Sequence, residues 1–505
     1  MLEFHTQGAP KAVNPIKVVA SAFRQAQPVL PGQPVIRPGW NAWRSECADK
    51  AAFLIDGAAY FSALDQALRQ ARREVWIVGW DFNPDIRLKP KTSTETLGEL
   101  LLSLVDSHQQ LQVRILVWGM GPIYSGKSLQ LFRRNPVSHP QISLRFDFRH
   151  PLRACHHQKL VSIDGNLAFL GGIDLTARRW DEPDHRVSNP LRRSPDGTPY
   201  EPVHDIQSVI SGKAAELVGD VARRRWKKAT GEKIEASTQR SDIWPAVDAE
   251  MENIPAAIAL TEPGLIGKRG RYEARRLTRD AIASAQRLIY VETQYLASSS
   301  VARALAKRLK DPDGPEIAVV VTKSSHGFIE KLAMGNNRDR LIRRLKRVNR
   351  HGRLKVMYAV VPDEENRDRE LTVHSKLIIV DDRFMRIGSS NLNNRSEGLD
   401  TECDLALEAN SKMHQDAISF LRHRLMAEHL DTSPADVSEL EQSCRSMLTT
   451  IDQLNFGRRK LREFPVDIHG RTELFPGTAF VDPRKPYWPL QRLRLRLGRI
   501  LSGLG

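Results

Sequence analysis

The chain has 505 residues, 41% hydrophobic, 27% charged and 7% aromatic, a make-up that suits a folded protein with a sizeable core and excludes a disordered or fibrous one. Its 76 lysines and arginines outnumber 60 aspartates and glutamates, for a net charge of +16, which favours a polyanionic partner, either nucleic acid or an anionic bilayer, without choosing between them. No apolar run reaches about 18 residues, so no transmembrane helix is expected, and the first residues lack the uninterrupted apolar stretch of a conventional secretory signal. The expectation is a protein that is soluble or peripheral at a membrane surface, with a non-Sec export route left open.

Residues 1–45 read as an irregular arm, punctuated by Pro31-Gly32 and Pro38-Gly39. A first lobe, 46–232, opens with Phe61, Leu64, Leu68 and Ala71 at helical spacing and leads into apolar strands at 75–78, 113–117 and 144–148. Residues 233–255 are polar and mixed and form the expected inter-lobe connection. A second lobe, 256–430, repeats the order, with a helix near 272–286 and strands near 288–291, 317–321 and 354–360. The basic run 338–350 carries Leu341, Ile342 and Leu345 at helical spacing and reads as a solvated helix face. A C-terminal extension, 431–505, ends in alternating arginine and leucine at 492–497 after Tyr487 and Trp488. It suits either a membrane-surface contact or a tail docked on the lobe. Strands alternating with helices make the fold class α/β, as two similar lobes of mixed sheet flanked by helices.

The two lobes carry one motif written twice without gaps. His157, Lys159 and Asp164 recur as His374, Lys376 and Asp381, and the register continues through Gly171/Gly388, Leu175/Leu392 and Arg178/Arg395. A pair of structural histidines on buried strands would not explain lysines at the same offset on a face that should be apolar. Histidine and lysine two residues apart point to the same side of an extended segment. Together they suit a phosphate, the lysine supplying fixed charge and the histidine attacking or protonating. One active site built from two lobes is the expectation. The cysteines at 47, 155, 403 and 444 include no Cys-x-x-Cys pair, so neither a disulfide framework nor a zinc site is expected. Cys155 and Cys403 read as plain buried thiols.

The triplets resemble the paired HKD motifs of the phospholipase D superfamily, and the surroundings resemble its phospholipase D branch. The carrying blocks are Gly388-Ser389-Ser390-Asn391-Leu392-Asn393-Asn394-Arg395-Ser396 with Glu402, and Gly171-Gly172-Ile173-Asp174-Leu175 with Arg179-Trp180-Asp181 and His185. Pro202-Val203-His204-Asp205, Arg225-Trp226 and Ile289-Tyr290-Val291-Glu292-Thr293-Gln294-Tyr295 complete the likeness. The resemblance implies one pseudo-symmetric two-lobed fold and a two-step path through a phosphohistidine. The six triplet residues are then the candidate catalytic set. His157 is assigned as nucleophile, and His374 as general acid and then base for the incoming water or alcohol. Lys159 and Lys376 would hold the phosphate, helped by Ser389 and Asn391. Asn391 faces Asp174 in the register, so the lobes are not equivalent there. Asp205 and Glu402 are the candidate carboxylates that fix the histidine tautomers. Asp164 and Asp381, at strand ends, read as structural supports. Neither motif needs a metal, and no cofactor is expected.

The leading expectation is a phospholipase D that hydrolyses phosphatidylcholine or a related phospholipid to phosphatidate and the head-group alcohol, with transfer to other alcohols as a further outcome. It would work at a phospholipid membrane surface, as a monomer, since both motifs lie in one chain. The alternative is a metal-independent nuclease or other phosphodiesterase of the same superfamily, which the net charge favours and the lipase-like blocks oppose. A cardiolipin-synthase-like transferase is disfavoured by the lack of transmembrane segments, and a non-catalytic binding protein by the intact triplets.

Overall fold

The computed structural model describes residues 33–120, 137–237, 241–264, 270–324, 335–473 and 482–483. Most of the 1–45 arm and the arginine–leucine tail with Tyr487 and Trp488 lie outside the described residues. The first half supplies β1 (Arg44–Ile55), β2 (Glu74–Gly79), β3 (Gln112–Trp118), β4 (Ile142–Asp147), β5 (Leu160–Ile163), β6 (Leu167–Gly171), β7 (Val203–His204) and β8 (Ile206–Ser211). The second supplies β9 (Met251–Glu262), β10 (Arg271–Tyr272), β11 (Leu288–Thr293), β12 (Glu316–Val321), β13 (Leu354–Pro362), β14 (Asp368–Glu370) and β15 (Thr372–Val373). It continues through β16 (Lys376–Val380), β17 (Phe384–Gly388), β18 (Glu402–Glu408) and β19 (Lys460–Glu463).

The ladders obey a two-fold pattern. In the first lobe the order is β4-β3-β2-β5-β6-β8-β1, with β2, β3 and β4 parallel and the remaining pairs antiparallel. In the second it is β13-β12-β11-β16-β17-β18-β9, again with three parallel strands and then antiparallel pairs. Antiparallel pairing of β1 with β9 joins the halves into one sheet. The repeat seen in the motifs is therefore a repeat of topology.

Both faces of each sheet are covered, which is why the strands read as continuous apolar runs. Alternate residues go to opposite faces. Val75 and Ile77 of β2 enter a core with Leu64, Leu68 and Leu101 from the helices Asp56–Gln70 and Leu97–Ser107. Ile289 and Val291 of β11 enter the matching core with Leu277, Leu305 and Ile342 from the helices Glu273–Ser284, Ser299–Lys310 and Asn336–Val348. Trp76 and Tyr290 point the other way, into a central core shared by the lobes and closed by Trp226 and Leu425.

Two features differ from expectation. The basic helix is not a solvated face throughout: Arg338 and Arg340 are buried, and Arg338 donates to the carbonyls of Thr322 and Lys323. Long guanidinium stems can cover apolar surface while their heads saturate backbone acceptors. The joining strands β1 and β9 also carry weak signals. The first half of β1 is charged and exposed, and β9 contains Pro255 opposite Cys47.

Candidate active site

Each histidine is positioned by the opposite lobe. The segment before His374 pairs in parallel with β7, and the His374 N–H donates to the His204 carbonyl at 2.7 Å. In the other copy His156 bridges Thr401, and the His157 N–H donates to the Thr401 carbonyl at 3.0 Å. His204 and Thr401 immediately precede Asp205 and Glu402, so these backbone bonds deliver a carboxylate from one lobe to the imidazole of the other. His157 Nδ1 lies 3.0 Å from Glu402 Oε2, and His374 Nδ1 lies 2.6 Å from Asp205 Oδ2. Glycine is required beside them. A Cβ on Gly172 would sit 2.1 Å from Asp205 Oδ1, and one on Gly388 would sit 2.3 Å from Asp404 Oδ1.

The partners set the tautomers. His157 Nδ1 is also 3.0 Å from the Ser389 carbonyl, which can only accept, so Nδ1 bears the proton and Nε2 keeps its lone pair. His374 Nδ1 has Asp205 at 2.6 Å and the Lys376 ammonium at 3.1 Å. The shorter contact is charge-assisted and decides that Nδ1–H faces Asp205, while Lys376 donates to the His374 carbonyl. Burial, then the charges of Lys159 and Lys376, hold His157 well below the ordinary histidine range. Burial, then Lys376 and Arg179, do the same for His374. Burial pushes Glu402 well above the usual carboxylate range and raises Asp205, against the pull of Lys376.

The two lysines are not equivalent. Lys159 Nζ pairs with Asp174 Oδ2 at 2.8 Å. Among the described residues no carboxylate lies within ion-pair distance of Lys376, and burial, offset by Asp205, brings Lys376 down to about 7. Ser389, expected at the phosphate, donates its hydroxyl proton to Glu402 Oε2 at 2.5 Å and accepts the Cys403 N–H at 3.0 Å. Asn391 is buried, its N–H donates to Ser396 Oγ, and its Oδ1 has no hydrogen-bond partner among the described residues.

Asp164 and Asp381 stand apart from the histidines, at the far ends of β5 and β16. Asp164 accepts the N–H groups of Arg72, Arg73 and Glu74, each at 2.9 Å. Asp381 accepts those of Gln286, Arg287 and Leu288 at 2.8, 2.7 and 2.9 Å. Both are left-handed, with φ of 48° and 54°, and each pins the start of a central strand. His156 is likewise absorbed: its Nε2 is 3.1 Å from Asp147, which also pairs with Arg225. Cys155 and Cys403 are buried free thiols.

Sequence reasoning gave no role to a buried network behind Asp205. Glu292 accepts from Tyr290 at 2.7 Å and Ser375 at 2.9 Å, and it faces His204 at 2.9 Å and His429 at 3.0 Å. His204 Nδ1 turns to Glu428 at 2.7 Å and Asp56 at 3.2 Å, and His185 bridges Asp181, Asp56 and Glu428. Asp56, His185, His204 and Glu428 come close enough to hold a metal ion. Protonated imidazoles satisfy the same geometry, because each ring nitrogen of His185 and His204 faces a carboxylate. The only trace of this network in the sequence is that His185, His204 and Glu292 sit in the blocks that carried the family likeness.

Two family models match in tandem. "Phospholipase D" matches residues 67–256, and "Cardiolipin synthase, PLD-like domain" matches residues 278–424, so each takes in one triplet. The chain belongs to the phospholipase D superfamily. Phospholipase D alpha 4 of Arabidopsis thaliana is 24% identical over 77% of this chain and 66% of that protein. Phospholipase D2 of Bos taurus is 31% identical over 30% of this chain and 16% of that protein. The chain thus spans just under two thirds of the plant relative and a small part of the animal one. Phosphatidylserine synthase of Haemophilus influenzae shares the superfamily fold, with a TM-score of 0.53 at 13% identity over 81% of this chain and 95% of that one. No described helix is long and apolar enough to cross a membrane.

Proposed function

We propose that the chain is a phospholipase D that cleaves the head-group ester of phosphatidylcholine or a related phospholipid through a phosphohistidine. The observation that carries this reading is the exchange of carboxylates: each lobe's histidine is oriented by an acid from the other. His157 Nε2, free and neutral, attacks phosphorus. His374 Nε2–H protonates the departing head-group oxygen, then takes a proton from the water or alcohol that attacks the phosphohistidine. Lys159 and Lys376 neutralise the non-bridging oxygens. Burial favours two neutral histidines at rest, and the acid role needs one of them charged. The negative phosphodiester supplies that shift, and Asp205 stabilises the imidazolium through Nδ1. Asp174 offsets the charge of Lys159, so Lys376 is the stronger phosphate ligand. An alcohol in place of water gives phosphatidyl transfer by the same second step.

Support comes from the tandem family models and the phospholipase D relatives, together with histidine Nε2 atoms that have no hydrogen-bond partner among the described residues. Head-group release from phospholipid vesicles in EDTA, with and without ethanol, tests it. Release with formation of a phosphatidyl alcohol supports the reading. Cleavage of plasmid DNA with silent vesicles would replace it by the nuclease alternative.

A further inference from the structure

In the first lobe opens a cleft of about 390 Å³, within the roughly 300–1,000 Å³ of typical ligand pockets. Its floor is apolar, with Phe61, Ile86 and Trp180, and its rim carries Arg87, Arg178, Arg179 and Arg193. Asp85 is the one acidic residue among the described residues lining it. None of the four arginines makes an ion pair among the described residues. Arg193 donates to the carbonyls of Pro190 and Gly197, and Arg179 to that of Arg178. Most other arginines near the site are spent on carboxylates, as Arg192 is on Asp181 and Arg395 on Asp400. Two buried donors in the cleft, Arg179 Nε and Ser194 Oγ, have no hydrogen-bond partner among the described residues. Unpaired buried donors are costly, and an anionic ligand would satisfy them.

The cleft adjoins the acid half of the site: the backbone of Arg179 and Trp180, which line it, packs against Gly57, and the neighbouring Asp56 N–H donates to the Asp205 carbonyl at 2.8 Å. Arg179 acts electrostatically on His374, Lys376 and Asp205, the acid half of the site. In an in-line displacement with His157 attacking, the departing oxygen lies toward His374, the histidine that Asp205 holds and the side on which the cleft adjoins the site. We propose that the cleft receives the lipid head group and selects head groups bearing a carboxylate or a phosphate over a quaternary ammonium. This rests on the phosphodiesterase reading above. A choline would bring a cation among four guanidinium groups. Recognition of such cations relies on aromatic faces, and here they are flanked by like charge.

The test uses short-chain, monomeric lipids, so that surface attraction does not enter. The protein should turn over dihexanoyl phosphatidylserine or a dihexanoyl phosphatidylinositol phosphate at least about tenfold faster, by kcat/KM, than dihexanoyl phosphatidylcholine. Reversing two of the exposed rim charges in a double variant, Arg87→Glu with Arg193→Glu, should erase or invert that ratio. Arg87→Ala with Arg193→Ala should give an intermediate value, which guards against misfolding as the cause. Equal turnover of the choline lipid, or a preference that survives charge reversal, overturns the proposal and leaves the phospholipase reading standing. Silence on every phospholipid removes both. Inorganic phosphate and free serine form the second arm. If they inhibit choline-lipid cleavage through these arginines while no head-group preference exists, the cleft belongs to a soluble anion and the proposal falls.

Discussion

His157 and Glu402 are 245 residues apart in the chain and in different lobes, yet the imidazole Nδ1 and the carboxylate Oε2 lie 3.0 Å apart. The reciprocal contact, His374 with Asp205, is 2.6 Å. Neither lobe alone can therefore orient its own histidine. Removing the Glu402 carboxylate should act through His157 orientation, so Glu402→Ala should lower kcat by about 10²-fold or more. Glu402→Gln, which keeps an acceptor for Nδ1–H, should lose less. Gly172→Ala should mimic loss of the second contact, because its Cβ would displace Asp205. Steady-state head-group release by each purified variant checks all three, and equal losses for the Ala and Gln variants would argue against an orienting role.

Lys376 predicts a pH effect on binding. It is brought down to about 7 by burial, against the opposing pull of Asp205. Its ammonium is present below that pH and lost above it, so KM should rise as pH climbs through about 7. Lys376→Arg keeps the charge at all accessible pH values and should flatten that rise, whatever it does to kcat. A KM profile against pH for both proteins decides this.

The network behind Asp205 predicts a pH effect on stability. Burial disfavours the His185 cation, but Asp56, Asp181 and Glu428 outweigh it and raise His185 to about 10. A raised group stabilises fully below its unfolded value, about 6.5, and loses that contribution as pH rises through its folded value. Unfolding free energy should therefore decline between about pH 6.5 and 10. In His185→Gln the decline should shrink. Urea midpoints across that range measure it.

Asp164 is buried and accepts three backbone N–H groups at the start of β2, as well as the Ser241 hydroxyl at 2.8 Å. Asp164→Ala should cost on the order of 2–4 kcal/mol of stability. Asp381→Ala should cost less, since Asp381 is only half-buried and its acceptor bonds are more open to water. Chemical denaturation of the two variants gives the comparison.

Much of this is legible in the sequence. The gapless repeat pointed to two similar lobes, and the apolar runs at 75–78, 113–117, 288–291 and 317–321 lie within β2, β3, β11 and β12. Asp205 and Glu402 were legible as tautomer-fixing acids, but not which histidine each serves. That choice depends on parallel pairing between segments some 170 to 250 residues apart (Thr372 with Val203, His156 with Thr401), and no local pattern encodes it. The strands β1 and β9 were obscured because their joining role tolerates exposed charge and a proline. The bond from the Ser389 hydroxyl to Glu402 was not legible, because a Ser after glycine looks the same in sequence whatever it faces. The arginine cleft gathers Arg87 with residues 178–193, a juxtaposition made only by folding.

The most direct test is rapid head-group release in the presence of ethanol by the wild-type chain, His157→Ala and His374→Ala, each first shown to be folded. The wild type should release head group and form phosphatidylethanol, and both variants should lose both products. Substantial release by either folded histidine variant would contradict the two-histidine mechanism.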